Sequence, residues 1–201
     1  MDDMVIDGTN ERFPIPGELR KRARRISLVL TDNDGVLTDN GVYYSDLGEV
    51  LKRYSIRDGM GVARLREVGI ETGIISGENS QSMIRRAEKL RLSHCYFGIA
   101  DKEAELTRIL IDTGLDISQI AYIGDDVNDL GVLRAIRSGG LTGAPSDAMP
   151  IVKRQVHYVA NAAGGHGAFR DFAEWIISLR RPTDEADSYD THSFQKIEET
   201  T

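Results

Sequence analysis

The chain has 201 residues, of which 40% are hydrophobic and 28% charged, proportions typical of a globular domain rather than a fibrous or disordered chain. Its 25 basic and 32 acidic side chains leave a formal net charge of −7, which argues against general affinity for nucleic acid. We expect a cytoplasmic protein that does not bind membranes, because no apolar run approaches transmembrane length, the first residues lack a signal-peptide pattern, and the single Cys95 suits a reducing compartment.

The two ends of the chain differ in composition from its middle. Residues 1–20 are polar and contain Pro14 and Pro16, which predicts a flexible lead-in. Residues 182–201 hold six acidic residues against Lys196 alone and few apolar anchors, which predicts an acidic, flexible tail. One folded domain is therefore expected over residues 21–181.

Between these ends, apolar runs typical of buried strands alternate with amphipathic segments typical of helices. The expected strands are Ser27–Thr31, Glu71–Ser76, His94–Phe97, Ala121–Gly124, Gly140–Thr142 and Val156–Ala160. The expected helices are roughly Gly59–Val68, Ser80–Leu90, Lys102–Asp112, Val127–Ser138, Asp147–Arg154 and Ala168–Arg180. This alternation predicts an α/β fold in which helices cover both faces of a doubly wound parallel sheet.

The first strand ends in two carboxylates. Asp32 and Asp34 follow the apolar run that begins at Leu28, and because they are two residues apart they share one face of an extended backbone. Ligands of open α/β sheets bind just beyond the carboxyl ends of the strands. The pair could also be an ordinary strand-to-turn junction, since aspartate and glycine are common in turns.

A β-hairpin is predicted directly after this strand. Residues from about 41 to 55 contain two strand-like runs around an Asp-Leu-Gly turn, so we expect a flap over the carboxylates that is too short to be a cap domain. A two-stranded hairpin is only marginally stable in water, and this one carries apolar side chains such as Val42 and Tyr44. Pairing with the hairpins of neighbouring subunits is the favoured explanation, and packing onto its own core is the alternative.

Three later segments place polar groups at the same predicted edge of the sheet. Ser76 ends the second strand, Lys102 opens a helix, and Asp125 begins an acidic cluster that extends to Asp129 after the fourth strand. Each has an ordinary structural explanation, since serine and aspartate cap helices and a lysine can be solvated. Their joint position at the carboxyl ends of the strands favours a functional site.

The acidic groups suit a divalent cation. Asp32 and Asp125, with a backbone carbonyl near Asp34, offer the hard oxygen ligands that Mg²⁺ prefers. Asp126 is expected either to hold a metal-bound water or to fix Lys102. We expect Mg²⁺ to neutralise a bound phosphate.

The same residues have the chemistry of phosphoryl transfer. Asp32 is the expected nucleophile, and Asp34 the expected general acid and then general base. Ser76 and Lys102 are expected to bind the oxygens of the phosphoryl group, where charge must be stabilised. Asp129 is expected to be structural.

Four stretches resemble, in order, the four motifs of the haloacid dehalogenase superfamily of phosphatases. They are Asp32–Thr38, Ser76 with Gly77, Lys102, and Gly124–Asp126. Residues 52–61 and 163–170 are further similar to the capless phosphatases of 3-deoxy-ulosonate phosphates. The resemblance covers residues 26–180 and implies a Rossmann-like core with no cap domain, Mg²⁺ dependence, and a sugar phosphate substrate of bacterial surface-polysaccharide synthesis.

This resemblance also implies how the substrate is bound. The stretch around Arg57, Asp58 and Gly59 is expected to contribute substrate contacts, as are Gly77 and Lys102. A homotetramer is implied, in which the hairpins pack together and neighbouring subunits close each other's sites.

The residue after Gly77 bears on the choice of sugar. In phosphatases of 3-deoxy-D-manno-octulosonate 8-phosphate (KDO 8-phosphate), an arginine usually stands at this position, whereas this chain has Glu78. The combination of Glu78 with Arg86 and Lys89 is more similar to phosphatases of KDN 9-phosphate or N-acetylneuraminate 9-phosphate. A glutamate suits sugar hydroxyls, and Arg86 with Lys89 suits a carboxylate. On one helix, Glu78 and Lys89 would lie roughly 16 Å apart, so a neighbouring subunit is inferred to supply Arg86 or Lys89. Alternatively, these two charges only solvate a helix face.

A glycine-rich loop over residues 164–167 precedes the last expected helix. Glycines at this density indicate a close approach of the backbone to another group. The loop could gate a ligand site, or it could be a tight turn from strand to helix.

Two other classes of protein share part of the pattern. Receiver domains of signalling pathways combine clustered acids, a hydroxyl residue, a lysine and Mg²⁺ on a doubly wound sheet, but their phosphorylated aspartate follows the third strand. A non-catalytic assembly subunit with the same fold is the other alternative. It is disfavoured because every group that the reaction needs is present.

Overall fold

The protein is described by a computed structural model over residues 4–6, 12–14 and 16–181. Its strands are β1 (Met4–Ile6), β2 (Arg12–Pro14), β3 (Leu28–Thr31), β4 (Thr38–Ser45), β5 (Gly48–Tyr54), β6 (Glu71–Ser76), β7 (His94–Phe97), β8 (Ile120–Ile123), β9 (Leu141–Ala144) and β10 (Tyr158–Val159). Its helices are α1 (Pro16–Arg25), α2 (Ile56–Glu67), α3 (Gln81–Leu90), α4 (Lys102–Thr113), α5 (Leu130–Arg137), α6 (Pro150–Lys153) and α7 (Ala168–Arg180). Within these ranges, none of the helices combines the length and apolarity needed to cross a bilayer.

Six strands form one parallel sheet in the order β10-β9-β8-β3-β6-β7. The chain builds β6 and β7 on one side of β3 and then crosses to build β8, β9 and β10 on the other. The strand order therefore reverses between β3 and β8, and in open α/β sheets this switch point is where ligands bind. The predicted doubly wound sheet is confirmed, and from residue 16 to 181 the chain contains the hairpin but no cap domain.

The sheet is buried on both faces, and alternate residues of its central strand belong to different cores. Val29 packs with Phe169 and other side chains of α1, α2, α3 and α7, whereas Leu28 and Leu30 pack with side chains of α4, α5 and α6. Side chains of a strand alternate between faces, so a strand covered on both sides must be apolar throughout. This is why a continuous apolar run correctly predicted β3.

The folded domain begins earlier than predicted. Helix α1 begins at Pro16, so the expected boundary at residue 21 falls inside a helix. The helix packs against α7, its Ala23 is fully buried, and Arg22 donates to the carbonyl oxygens of Arg137 and Gly140 at 2.7 and 3.2 Å. Proline suits the first turn of a helix, where its missing N–H is not needed. The predicted tail over residues 182–201 lies outside the described residues.

Three helix starts also differ from prediction, among them that of α6, which begins at Pro150 rather than Asp147. Helix α2 begins at Ile56 rather than Gly59 because the Ser55 hydroxyl accepts a hydrogen bond from the amide of Arg57 at 3.1 Å. The helix expected from residue 127 begins as a 3₁₀ turn over Val127–Asp129 and becomes α-helical at Leu130.

Strands β4 and β5 form the predicted antiparallel hairpin, which lies apart from the main sheet. Its outer apolar side chains are exposed, with Tyr44 at 74%, Leu47 at 99% and Leu51 at 59%. In a single chain these three side chains do not pack onto the core. The alternative prediction, that the hairpin folds back onto its own core, is therefore wrong for these side chains.

The glycine-rich loop packs against the segment that follows β3. A Cβ at Gly164 would collide with the carbonyl oxygen of Gly35, and the amide of Gly165 donates to the carbonyl of Val36 at 2.9 Å. Gly165 also has a φ of +63°, which side-chain-bearing residues rarely adopt. The glycines thus allow two backbones to touch beneath the carboxylates, which favours the tight-turn interpretation over a gate.

Candidate active site

A cleft of 310 Å³ opens at the carboxyl ends of β3, β6 and β8. It is lined by Asp32, Asp34, Asn40, Ser76, Gly77, Glu78, Asp125, Asp126, Val127 and Asn128. Most of these residues were predicted as site residues, and strands β3 and β8 bring their acidic side chains together at the switch point of the sheet.

Asp32 lies at the floor of the cleft and is 5% exposed. Its Oδ1 accepts a hydrogen bond from the amide of Asn33 at 2.6 Å, and its Oδ2 lies 2.7 Å from Nζ of Lys102. Burial raises the pKa of Asp32 to about 8 and nearby Asp129 adds to the rise, while Lys102 opposes it. The carboxylate is thus held in one orientation, in an environment that disfavours its charge.

Lys102 is clamped between two carboxylates. Its side chain is 2% exposed, and Nζ lies 2.7 Å from both Asp32 Oδ2 and Asp129 Oδ1. The hydroxyl of Tyr122 donates to the same Asp129 oxygen at 2.6 Å. The N-cap Asp101, whose carboxylate accepts the amides of residues 103 and 104, fixes the start of α4 and so the position of Lys102.

Asp129, rather than Asp126, fixes Lys102. Asp126 is exposed and caps the 3₁₀ turn by accepting a hydrogen bond from the amide of Val127 at 2.6 Å. Oδ2 of Asp129 accepts the amide of Asp125 at 2.9 Å and that of Asp126 at 3.3 Å, so Asp129 also shapes the acidic loop. The sequence contained one clue to this role. Asp129 stands four residues after Asp125, and this spacing brings its side chain back beneath the acidic loop.

Asp125 lies opposite Asp32 and is 7% exposed. Its Oδ2 accepts a hydrogen bond from Nδ2 of Asn40 at 3.2 Å, and Asn40 adopts a left-handed backbone with a φ of +61°. Burial raises the pKa of Asp125 to about 7, while the hydrogen bond from Asn40 opposes the rise. A Cβ at Gly35 would collide with the Asp125 carboxylate, which explains the glycine at that position.

The acidic cluster has the donor set for a divalent cation. Carboxylate oxygens of Asp32, Asp125 and Asp129 lie within 4.8 Å of one another. Asp129 is fully buried and does not line the cleft, whereas Asp32 and Asp125 do, so these two are the carboxylates that an ion in the cleft can reach. Three buried carboxylates face one buried lysine, and a cation would neutralise the excess negative charge. Hard oxygen donors of this kind fit Mg²⁺.

Asp34 lines the cleft, but its carboxylate does not join this cluster. Nζ of Lys52 lies 2.8 Å from both Oδ1 and Oδ2 of Asp34. Any oxygen that residue 34 offers to a metal would therefore be its main-chain carbonyl.

Lys52 was not among the predicted site residues. A period-2 reading of β5 would have found it, since it puts Lys52 and Tyr54 on one face of the strand. The Tyr54 hydroxyl donates to Oδ1 of Asn33 at 3.2 Å, so this face points to the segment that carries Asp32 and Asp34.

Ser76 and the two residues after it form the opposite wall. Ser76 is 1% exposed, and its hydroxyl accepts a hydrogen bond from the amide of Glu78 at 3.1 Å. Gly77 and Glu78 are exposed and line the cleft. The Ser76 hydroxyl and the Glu78 carboxylate, which can accept hydrogen bonds from sugar hydroxyl groups, thus lie on the wall that faces Asp125.

The predicted substrate contacts on α2 do not line the cleft. Asp58 is 1% exposed, and its carboxylate accepts the amides of Gly167 at 3.2 Å and Arg170 at 3.1 Å. It therefore caps the start of α7, and its assignment as a substrate contact is wrong for this chain's own cleft. Arg57 and Gly59, its neighbours on α2, also lie outside the cleft lining.

Arg86 and Lys89 of α3 also lie outside the cleft of their own chain. The Arg86 guanidinium donates to the carbonyl oxygen of Ser55 at 2.7 Å and lies 5.5 Å from the centre of the Tyr54 ring. It thus braces α3 against the junction of β5 and α2, while Lys89 is exposed. A contact between these residues and substrate would need a neighbouring subunit.

The buried carboxylates predict an unusual dependence of stability on pH. Because Asp32 and Asp125 bind protons more tightly when folded, with pKa values raised from 3.8 to about 8 and about 7, the cation-free protein should lose stability as pH rises from about 4 to about 8, with little further change above that. Added Mg²⁺ should raise the melting temperature more at the higher pH, since it replaces those protons. Thermal melts with and without Mg²⁺ measure both effects.

Asp125→Asn is the control for this pH dependence. It removes one of the titrating carboxylates, so the melting temperature should vary less with pH and the gain from Mg²⁺ should shrink. The buried His157 acts in the opposite direction below about pH 6.5, because its pKa is lowered from 6.5 to about 3 in the folded protein, so the two proteins are compared at about pH 7 and about pH 8. A gain from Mg²⁺ that is the same at both pH values would contradict the prediction.

The chain has close relatives of known sequence, although no protein-family model matches it. It is 35% identical over 164 residues to the KDO 8-phosphate phosphatase of Yersinia pestis, which covers 82% of this chain and 86% of that protein. It is 34% identical over 162 residues to the corresponding phosphatase of Haemophilus influenzae, covering 81% of this chain and 88% of the relative.

Solved structures with the same fold agree with these relatives. The KDO 8-phosphate phosphatase of Moraxella catarrhalis, in complex with magnesium, phosphate and KDO, superposes with a TM-score of 0.76 at 31% identity over 87% of this chain and 97% of that one. The cobalt-bound phosphatase of Haemophilus influenzae gives a TM-score of 0.75 at 33% identity over 84% of this chain and 95% of its own. The resemblance inferred from the motifs is confirmed, and the chain belongs to the KDO 8-phosphate phosphatase family of the haloacid dehalogenase superfamily.

Proposed function

We propose that this protein is a Mg²⁺-dependent cytoplasmic phosphatase that hydrolyses KDO 8-phosphate, in the synthesis of the lipopolysaccharide sugars of a bacterial surface. The observation that carries the proposal is the cleft in which the buried Asp32 is held against Lys102, with Asp125 opposite. This is the arrangement that a carboxylate nucleophile beside a cation site requires. The named activity of the relatives and the KDO bound by the Moraxella protein support the choice of substrate.

In the first half of the reaction, Asp32 acts as the nucleophile. One of its carboxylate oxygens attacks phosphorus while the bond between phosphorus and the sugar oxygen breaks. The leaving oxygen takes a proton from Asp34, which lines the same cleft. Asp32 then carries the phosphoryl group and the sugar is free.

In the second half, water releases the phosphoryl group. Asp34 accepts a proton from the attacking water, the bond between phosphorus and the Asp32 oxygen breaks, and inorganic phosphate leaves. Asp34 is thereby protonated again for the next cycle.

The charge on the phosphoryl group is met from several sides. Lys102, 2.7 Å from Asp32, and the Ser76 hydroxyl supply positive charge and a hydrogen bond. A Mg²⁺ ion held by Asp32, Asp125 and the main-chain carbonyl of residue 34 would neutralise the phosphate. Asp126, exposed at the rim, is placed to bind a water of that ion.

Glu78 supports a second candidate substrate. It is exposed in the cleft, where its carboxylate can accept hydrogen bonds from the hydroxyl groups of a longer sugar. KDN 9-phosphate or N-acetylneuraminate 9-phosphate, the sialic-acid relatives, would fit that contact. Arg86 and Lys89 of a neighbouring subunit are proposed to bind the substrate carboxylate.

Comparing kcat/KM for KDO 8-phosphate and KDN 9-phosphate, each with Mg²⁺, tests the function. We expect turnover of both, with the eight-carbon substrate preferred. Preference for the nine-carbon substrate would replace KDO 8-phosphate by the second candidate. No Mg²⁺-dependent turnover of any phosphomonoester would reject the enzyme and leave a receiver-like or non-catalytic role.

We further propose that the protein is a homotetramer in which the hairpins pack together. The exposed side chains of the hairpin include Tyr44 at 74% and the cross-strand pair Tyr43 and Leu51 at 61% and 59%, and exposed apolar surface of this kind is typical of an interface. The neighbouring subunits are proposed to complete each other's sites.

Tyr44→Asp is expected to dissociate this assembly, because it would bury a charge at the interface. Light scattering after size-exclusion chromatography should show a smaller species, and turnover should fall with it. Ile111→Asp is the matched control, since Ile111 is 76% exposed on α4, away from the hairpin. A Tyr44→Asp protein of unchanged mass would contradict the tetramer built on hairpins.

A further inference from the structure

One lysine of the hairpin is buried although the hairpin around it is exposed. The side chain of Lys52 is 2% exposed, whereas its neighbours Leu51 and Val50 on β5 are 59% and 52% exposed. Lys52 points from the strand into the site, and its Nζ lies 2.8 Å from each carboxylate oxygen of Asp34. Glu49 is its next acidic neighbour, at 3.7 Å.

Burying a lysine in this way needs a reason. Removing an ammonium group from water is costly, and a buried ion pair often contributes little to net stability. An exposed lysine would serve a hairpin better, because charges at exposed edges discourage aggregation. The contact therefore points to a role at the carboxylate that Lys52 reaches.

The contact fixes the orientation of Asp34. Oδ1 also accepts hydrogen bonds from Nδ2 of Asn33 at 3.2 Å and from the Thr38 hydroxyl at 3.3 Å, but both are long. Lys52 provides the short bonds, and it alone of these partners contacts both oxygens. Without it, only the two long bonds to Oδ1 would remain and Oδ2 would lose its hydrogen bond, so the carboxylate would be held less firmly.

We propose that Lys52 is a positioning residue for the reaction: it holds the acid–base carboxylate of Asp34 in the orientation that proton transfer requires. The proposal rests on the proposed function, because it assigns Lys52 a role through Asp34 in phosphomonoester hydrolysis. Proton transfer demands a heavy-atom distance of about 3 Å, so a carboxylate that rotates away loses most of its effect. Lys52 itself does not line the cleft in which the substrate is proposed to bind.

The same contact links the hairpin to the chemistry. Lys52 lies on β5, and the base of the hairpin is anchored by the pairing of Thr38 with Tyr54 and by the bond from Tyr54 to Asn33. A shift of β5 would therefore move the ammonium group relative to Asp34. The hairpin thus contributes directly to the site, in addition to its proposed role in assembly.

Lys52→Met tests the proposal, because methionine keeps the length and apolar stem of lysine and removes the ammonium group. With KDO 8-phosphate, kcat should fall about 100-fold, the scale of general acid–base catalysis. With p-nitrophenyl phosphate, whose leaving group needs no proton, Asp32 should still be phosphorylated while attack by water is slow. Stopped-flow absorbance should then show a burst of p-nitrophenol close to the concentration of sites, followed by slow turnover.

A double variant separates positioning from a general structural role. If Lys52 acts through Asp34, adding Lys52→Met to Asp34→Asn should lower kcat by less than about twofold further. Lys52→Arg, which keeps a cation able to contact both oxygens, should recover kcat to within about tenfold of the wild type. Asp46→Asn removes a charge at the exposed turn of the same hairpin and should change neither the rate nor the burst.

Each outcome bears on a different claim. The positioning role would be overturned if the Lys52→Met protein lost all activity and showed no burst, and if the loss of kcat in the double variant equalled the product of the losses in Lys52→Met and Asp34→Asn. If that protein does not fold, the Lys52→Arg protein decides: a rate no better than that of Asp34→Asn would also overturn it. A wild-type protein that hydrolyses neither substrate would instead reject the proposed function.

Discussion

Asp32→Asn is expected to lower kcat by about 10⁴-fold or more, because an amide cannot attack phosphorus and no other carboxylate occupies its position. The fold should survive, since the two side chains have the same shape. The neutral amide relieves the cost of a buried charge, but it has one acceptor oxygen where the carboxylate accepts from both the Asn33 amide and Lys102, so these two contributions oppose each other and the melting temperature should change little. Steady-state kinetics and thermal melts measure the two effects.

Trapping the phosphoryl state makes the same prediction more specific. With Mg²⁺, beryllium fluoride should form an adduct on the wild-type protein at Asp32 and form none on Asp32→Asn. Asp112→Asn is the control, because that side chain is 54% exposed on α4 and far from the cleft. Wild-type protein without an adduct at Asp32, or a variant that keeps more than a tenth of the activity, would exclude Asp32 as the nucleophile.

Lys102→Met is expected to cost both activity and stability. It leaves Asp32 and Asp129 buried without their shared cation, and removing one member of a buried ionic group typically costs about 3–5 kcal/mol of the free energy of unfolding. Turnover should fall about 10³-fold, since the same ammonium group stabilises the phosphoryl oxygens. Urea unfolding at several pH values measures the loss of stability.

The sign of the pH effect identifies the cause of that loss. At lower pH the buried carboxylates take up protons, so the destabilisation by Lys102→Met should be smaller at about pH 6 than at about pH 8. Lys21→Met is the matched control, because the Lys21 side chain is 70% exposed and should contribute less than about 1 kcal/mol. Equal losses in the two variants would show that the buried lysine is not a structural cation.

The charges of the site explain why these effects should be large. Asp32, Asp125 and Asp129 are each at least 93% buried and share one buried lysine, so the folded protein holds more negative charge than it neutralises. The surplus is relieved either by protons, which raises pKa values, or by a divalent cation. Stability, metal binding and catalysis are therefore linked through the same carboxylates.

Much of the fold follows from short-range patterns in the sequence. β6, β7 and α7 begin and end where the apolar runs and helical periodicity predict. Strands of a covered parallel sheet must be apolar throughout, and the polar residue that ends such a run marks the edge where ligands bind. The positions of Asp32, Ser76 and Asp125 at that edge could be inferred for this reason.

The partners of those residues could not be inferred in the same way. Lys52 meets Asp34 across a hairpin, Asp129 rather than Asp126 reaches Lys102, and Asp58 caps α7 instead of facing the substrate. The sequence by itself determined which elements form and which residues end the strands, because periodicity and strand ends are local properties of the backbone. Only the tertiary structure decided which side chains pair, because a contact of 2.8 Å depends on how far and in which direction each element packs, and this is set by the whole core.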